Sequence, residues 1–233
     1  MGQIWAAACT LRRHPNIVIL MIALAFAGCA AMPLQNKAEV PEKIAVPEGS
    51  QAQNAETAKN KAEVLEAKAA PEGSKVPPTP AQIITKPQAQ AVDPTGEELM
   101  DDAITCFARS IYWEARGEGD AGMEAIANVV MNRIGHKGFP NTICGVVKQG
   151  HEQGACQFSW WCDGHSDDAA DEESYSHAKE IARKALNRQL RDRTGGALYF
   201  HQRKVAPHWS KEYIRTAEVG EHVFYKPAGG EAK

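Results

Sequence analysis

From Pro33 to Glu98 the sequence contains no Phe, Trp or Tyr and is made mostly of Ala, Pro, Glu, Lys and Gln. A packed core needs large apolar groups to offset the entropy of ordering a chain, so this composition predicts a linker and not a domain. A basic excess is also missing. The formal net charge is -3, and between Asp102 and Lys226 sixteen Lys plus Arg face seventeen Asp plus Glu. That balance removes the electrostatic footprint of a nucleic-acid-binding protein. No His-Glu-x-x-His sequence occurs, and the cysteine spacings fit no common zinc pattern. No metal and no other cofactor is therefore expected. Nor does any apolar run reach the roughly 20 residues that a membrane-spanning helix needs.

What the first residues do contain is an export address. Arg12 and Arg13 precede the apolar run Ile17 to Ala27, which ends in the small residues Ala27, Gly28 and Cys29. Charged start, short apolar middle and small-residue end are the layout of a secretory signal. Phe26-Ala27-Gly28-Cys29 further resembles the lipobox of bacterial lipoproteins. The resemblance implies that residues 1–28 are removed and that Cys29 carries the lipid anchoring the mature protein to a membrane, facing the periplasm or cell wall. Cleavage after Ala27 and an uncleaved anchor are the alternatives.

Residues 29–98 are predicted to be a disordered linker. Asn36 to Ser50 returns as Asn60 to Ser74 with eleven of fifteen positions identical. A solenoid needs at least three repeats sharing an apolar face, so two small-residue copies point to a duplicated spacer. Pro-rich, charged segments such as Val76-Pro-Pro-Thr-Pro80 are extended, and reach is the expected role. Residues 228–233 are expected to be a disordered tail.

The foldable part is 99–227, the size of one domain, expected to act as a monomer. Apolar residues at helical spacing mark a first helix (Leu99, Ile104, Ala108, Ile111, Ala115), a second (Met123, Ile126, Ala127, Val130, Ile134) and a third from Tyr175 to Leu190. Ala197–His201 and His222–Tyr225 read as short strands. Helices followed by a small sheet indicate an α+β class. Four cysteines fall here, and an even number in an exported domain favours two disulfides. Cys106 with Cys144 and Cys156 with Cys162 is the preferred pairing of three. The second bridge would pinch Gln157-Phe-Ser-Trp-Trp161 into a loop.

The chemistry concentrates in Ile111-Tyr-Trp-Glu-Ala-Arg-Gly-Glu118. A carboxylic acid beside bulky aromatics near a helix end has its pKa raised by desolvation, as a general acid for glycosidic cleavage requires. Glu114 holds that place; the competing reading is a solvated ion network of Glu114, Arg116 and Glu118. Asn132, Gln157, Ser159 and Trp160 offer amide, hydroxyl and indole groups suited to a glycan cleft.

Tyr112-Trp-Glu-Ala-Arg-Gly-Glu118, Ala125-Ile-Ala-Asn-Val-Val-Met-Asn-Arg133, Phe139-Pro-Asn-Thr-Ile143, Gly145-Val-Val147, Gln157-Phe-Ser159 and Ala197-Leu-Tyr-Phe200 follow one another at intervals similar to those of the spore-cortex-lytic cell wall hydrolase family. The resemblance implies a mainly helical, lysozyme-like domain with a small antiparallel sheet. It also implies Glu114 as catalytic acid, peptidoglycan glycan strands as partner, and cleavage between N-acetylmuramic acid and N-acetylglucosamine. A lytic transglycosylase needs one carboxylate; ordinary hydrolysis uses two, for which Glu118, Asp120 and Asp163 are the nearby candidates. A cysteine nucleophile cleaving wall peptides and a non-catalytic wall-binding lipoprotein are the rival readings.

Overall fold

The helix Ala103–Ala115 is packed on nearly every side: every residue from Ala103 to Tyr112 is buried, the polar Thr105, Arg109 and Ser110 included. In the computed structural model, which describes residues 48–70 and 76–229, this helix, α3, is the centre of the fold. Its N-cap is Asp102, whose side chain accepts from the Thr105 N–H. Around it pack α1 (Glu48–Ala69), α4 (Gly119–Arg133), α5 (Ile143–Lys148) and α6 (Glu172–Leu186), while α2 (Lys86–Ala91) lies against α1 and α6. Asp171 caps α6, acidic Glu172 and Glu173 open it and basic Arg183 and Lys184 close it, as the helix dipole favours. The predicted third helix ends earlier than its apolar pattern, at Leu186, because Arg188 takes a left-handed conformation (φ 57°).

Three strands form one antiparallel sheet in the order β1-β3-β2: β1 Tyr199–Gln202, β2 Ile214–Val219 and β3 His222–Lys226. Phe200 faces Phe224 and Gln202 faces His222 across β1 and β3. The central β3 is the buried strand, and an irregularity between Arg215 and Ala217 bends β2. The domain is thus mainly helical with a small antiparallel sheet. Both expected disulfides are present. Cys106–Cys144 joins α3 to α5 with a Cα separation of 5.2 Å, and Cys156–Cys162 closes the intervening loop.

The expected linker 29–98 and the domain start at 99 need correction from Glu48 onward. On α1, Ala58, Ala62 and Leu65 are buried in the common core. Alanine-sized side chains let α1 approach closely, and its carboxylates do the rest. Glu63 accepts the Ala103 N–H at 2.9 Å and Glu66 accepts the Ile143 N–H. Each satisfies a donor that α3 or α5 leaves free in its first turn. Ile84 is fully buried and held through both its backbone groups by the Asn187 amide. Asp93, fully buried, receives Arg109 Nε at 2.8 Å and the Tyr175 hydroxyl at 2.6 Å. Burial opposes its charge, but the hydrogen bonds from Tyr175, the Glu98 N–H and Arg109 hold its carboxyl below the ordinary range. Polar partners replace the missing aromatics. The export segment, Cys29 and the first repeat copy up to residue 47 lie outside the described residues, among which no helix is long and apolar enough to cross a membrane.

Candidate active site

Glu114 stands in the last turn of α3, where two aromatic neighbours fix the helix end. Trp113 donates through Nε1 to the Asp167 carbonyl at 3.0 Å and stacks on Trp160 at 6.3 Å. Tyr112 accepts from Arg116 at 3.0 Å, and the Arg116 guanidinium lies 4.7 Å over the Trp113 ring. Arg116 therefore covers aromatic faces and does not form the ion network with Glu114 that the local sequence also allowed.

Glu114 lines a cleft of about 540 Å³ whose opposite wall is the sheet and the segment joining β1 to β2. Burial pushes the Glu114 carboxyl up; the Arg133 charge opposes this and the Glu118 charge adds to it, leaving the pKa at about 7. Arg133, at the end of α4, is 2% exposed and lines the same cleft. Its Nε donates to the Leu198 carbonyl at 2.8 Å, and the rings of Phe139 and Phe158 lie 5.0 and 5.3 Å from its guanidinium. Burial lowers its own pKa to about 10, so it stays cationic in neutral solution. Across the cleft stand Tyr199, Trp209 and Tyr213, with Tyr199 and Tyr213 rings 4.9 Å apart and Trp209 5.5 Å from Tyr213.

The structure brings Gln157 and Ser159 into this cleft with Glu114, both exposed on the loop closed by Cys156–Cys162. Two expected binding residues are corrected. Trp160 is 7% exposed and packs between Trp113 and Trp161, because the loop's short 3-10 turn directs it inward. Asn132 is engaged within the protein: its amide donates to Ala197 O at 3.2 Å and Thr194 Oγ1 at 3.4 Å, bracing the 192–197 loop against α4. Neither lines the cleft.

Of the candidate second carboxylates, Asp120 pairs with His177 at 2.8 Å and Asp163 accepts the His165 N–H. Glu118 faces His222 and the β2–β3 turn. None of the three is in the lining of the cleft. Cys106, Cys144, Cys156 and Cys162 are all in disulfides, which leaves the domain no thiol nucleophile.

Sequence reasoning missed Arg133 and the Tyr199–Trp209–Tyr213 wall. Arg133 sat in view at the end of a motif, but nothing in a helical stripe distinguishes a buried cation from a surface one. Trp209 and Tyr213 lie in a segment without periodicity; their aromatic density was the available signal.

Residues 117–225 match the family model described as Cell Wall Hydrolase. The spore cortex-lytic enzyme of Bacillus cereus is 31% identical over 128 residues, covering 53% of this chain and 44% of that protein. Its counterpart in Halalkalibacterium halodurans is also 31% identical, over 129 residues and 34% of its length. The chain thus spans less than half of these relatives. Among solved structures, the catalytic domain of the Bacillus cereus SleB protein is matched over 53% of this chain and 89% of that one, at 27% identity and a TM-score of 0.38. Residues 117–225, which contain every residue lining the cleft except Glu114, are thus similar to the cell wall hydrolase family.

Proposed function

We propose that the protein cleaves the glycan strands of peptidoglycan between N-acetylmuramic acid and N-acetylglucosamine, as a lytic transglycosylase with Glu114 as its single acid and base. The observation that carries this reading is a half-buried carboxyl at the floor of a cleft, with a pKa of about 7, facing an aromatic wall. A protonated Glu114 gives its proton to the glycosidic oxygen as the C1–O bond breaks. The resulting carboxylate, eased by the nearby Arg133 charge, takes the proton of the muramyl 6-hydroxyl as that oxygen bonds to C1. The product is a 1,6-anhydro end, and Glu114 is protonated again. Tyr199, Trp209 and Tyr213 supply faces on which sugar rings stack, and Gln157 and Ser159 supply hydrogen bonds. The relatives named as spore cortex-lytic enzymes favour a wall polymer as substrate. Export fits that substrate, with Cys29 as the lipidated residue.

Mass spectrometry of the soluble products from purified peptidoglycan tests the proposal. Anhydro-muramyl fragments are expected from the wild type and none from Glu114→Gln. Reducing muramyl ends would make the enzyme a hydrolase with a second catalytic group, and equal release by Glu114→Gln would remove Glu114 from the mechanism.

A further inference from the structure

The second carboxylate of the 114–118 motif is placed in a way that the proposed chemistry does not use. Glu118, at the N-terminus of α4, is largely buried and spans to the β2–β3 turn. Its Oε2 accepts the Glu221 N–H at 3.0 Å, and its Oε1 lies 3.0 Å from His222 Nδ1, an ion-pair distance off the direction of a full hydrogen bond. The contact is a close approach of carboxylate and imidazole and not a formed hydrogen bond. His222 is 1% exposed and sits in the wall of the Glu114 cleft, its ring 5.2 Å from Phe200.

Space has been cleared for this carboxylate on two sides. A Cβ at Gly122 would stand 2.6 Å from Glu118 Cβ and 2.8 Å from its Oε2. A Cβ at Gly220, which has φ 58° in the β2–β3 turn, would also collide with Oε2. The two walls of the cleft come from elements far apart in sequence: the α3–α4 corner carries Glu114, and the sheet carries His222 and Tyr199. Glu118 ties the start of α4 to the β2–β3 turn, as Arg133 ties its end to the Leu198 carbonyl ahead of β1.

We propose that Glu118 is a positioning residue of the active site, a latch that fixes the distance from Glu114 to the sheet wall through the Glu221 N–H and His222, and not a second catalytic carboxylate. This rests on the glycan-cleaving reading above for its enzymatic consequence, whereas the latch itself is a property of the fold. A reacting group displaced by about 1 Å costs on the order of 100-fold in rate, so losing the latch should act on kcat and leave KM nearly unchanged. The charged groups bearing on Glu114 are Arg133 from α4 and Glu118 itself.

The test uses the full-length protein with Glu118→Ala, Glu118→Gln and Gly122→Ala. Glu118→Ala should lower kcat about 10- to 100-fold at similar KM. Glu118→Gln keeps an oxygen for the Glu221 N–H, so it should recover most of that loss, with the alkaline limb of the pH profile moved toward acid because a charge that raises the Glu114 pKa is gone. Gly122→Ala sets a methyl 2.6 Å from Glu118 Cβ and displaces the Glu118 side chain, so kcat should fall. Hydrogen exchange at the Glu221 amide should quicken in Glu118→Ala whatever the enzyme acts on. Unchanged exchange there, or wild-type kcat in all three variants, would overturn the latch. Glu118→Gln as inactive as Glu114→Gln would overturn it in favour of a second catalytic carboxylate. Should the wild type release no glycan product, the functional reading fails, and the amide exchange still decides the latch.

Discussion

A carboxyl held protonated near neutrality is useful to an acid catalyst and costly to the folded chain. The Glu114 pKa of about 7 lies above the ordinary carboxyl value of 4.5 because burial disfavours its charge. In the linkage sense, the neutral form favours folding fully below the ordinary value, and this advantage is lost as the pH rises through about 7. Glu114→Gln should therefore melt higher than the wild type at pH 8 and alike at pH 4, while activity drops about 10²- to 10⁴-fold; calorimetry at the two pH values checks the first part. Arg133→Met removes the cation that draws the Glu114 pKa down, so the alkaline limb of the rate profile should move upward. Trp209→Ala removes a stacking face worth on the order of 1 kcal/mol, expected as about a five-fold rise in KM with little change in kcat. The legibility of these residues in the sequence follows from what each one needs. The desolvation of Glu114 was legible because its aromatic neighbours adjoin it in sequence. Arg133 and Trp209 were not, because burial of a cation and convergence of rings depend on contacts between distant segments. Trp160 misled for the same reason: its partner Trp113 is 47 positions away.

At the scale of elements, α3, α4 and α6 were readable from a 3.6-residue apolar period, and β1 and β3 from their β-prone residues. The edge strand β2 and the helix α1 were not. The missed signal in α1 was small: Ala58, Ala62 and Leu65 recur at i, i+4 and i+7, but their modest area looked insufficient for burial. The shortfall is met by polar contacts, chiefly Glu63 and Glu66 on the first turns of α3 and α5. Cutting the chain at residue 99 would strip these carboxylates and also Asp93 from the buried Arg109, so that truncation should give an unstable or insoluble domain whereas one beginning at residue 45 should fold; circular dichroism melts compare them. Glu66 is 4% exposed, and burial pushes its pKa to about 7 against the pull of the Ile143 N–H. Its contribution is thus complete below the ordinary carboxyl range and fades as the pH rises through about 7. Glu66→Gln keeps an acceptor for Ile143 without the charge and should raise the melting temperature above pH 7. The Cys106–Cys144 bridge closes a separation of 38 residues between α3 and α5, for which loop entropy gives about 4 kcal/mol. Replacing both cysteines with Ala should lower stability by up to that amount in denaturant titration.

For the whole molecule, docking α1 on the domain changes how far the active site could stand from a membrane. If residues 29–98 were all spacer, their contour would be roughly 240 Å; with the fold starting at Glu48, the nineteen residues from Cys29 to Pro47 span at most roughly 65 Å. The duplication bears on this division. The copies differ where Pro41 in the first stands in place of Leu65 in the second. Leu65 is buried within α1, and a proline at such an interior position would remove a helix hydrogen bond and clash with the preceding turn. One repeat thus carries a residue that α1 requires, and the other carries one that α1 excludes. On the proposed lipid anchor at Cys29, the chain ahead of Glu48, which holds all but the last three residues of the first copy, bounds the reach. Deleting residues 36–47 should leave the purified enzyme's rate on isolated peptidoglycan unchanged but reduce wall release in cells expressing the anchored form. Replacing Cys29 with Ser should abolish that dependence on length. Equal wall release by the shortened and full-length anchored forms would mean that the anchor-to-domain distance does not limit access to substrate.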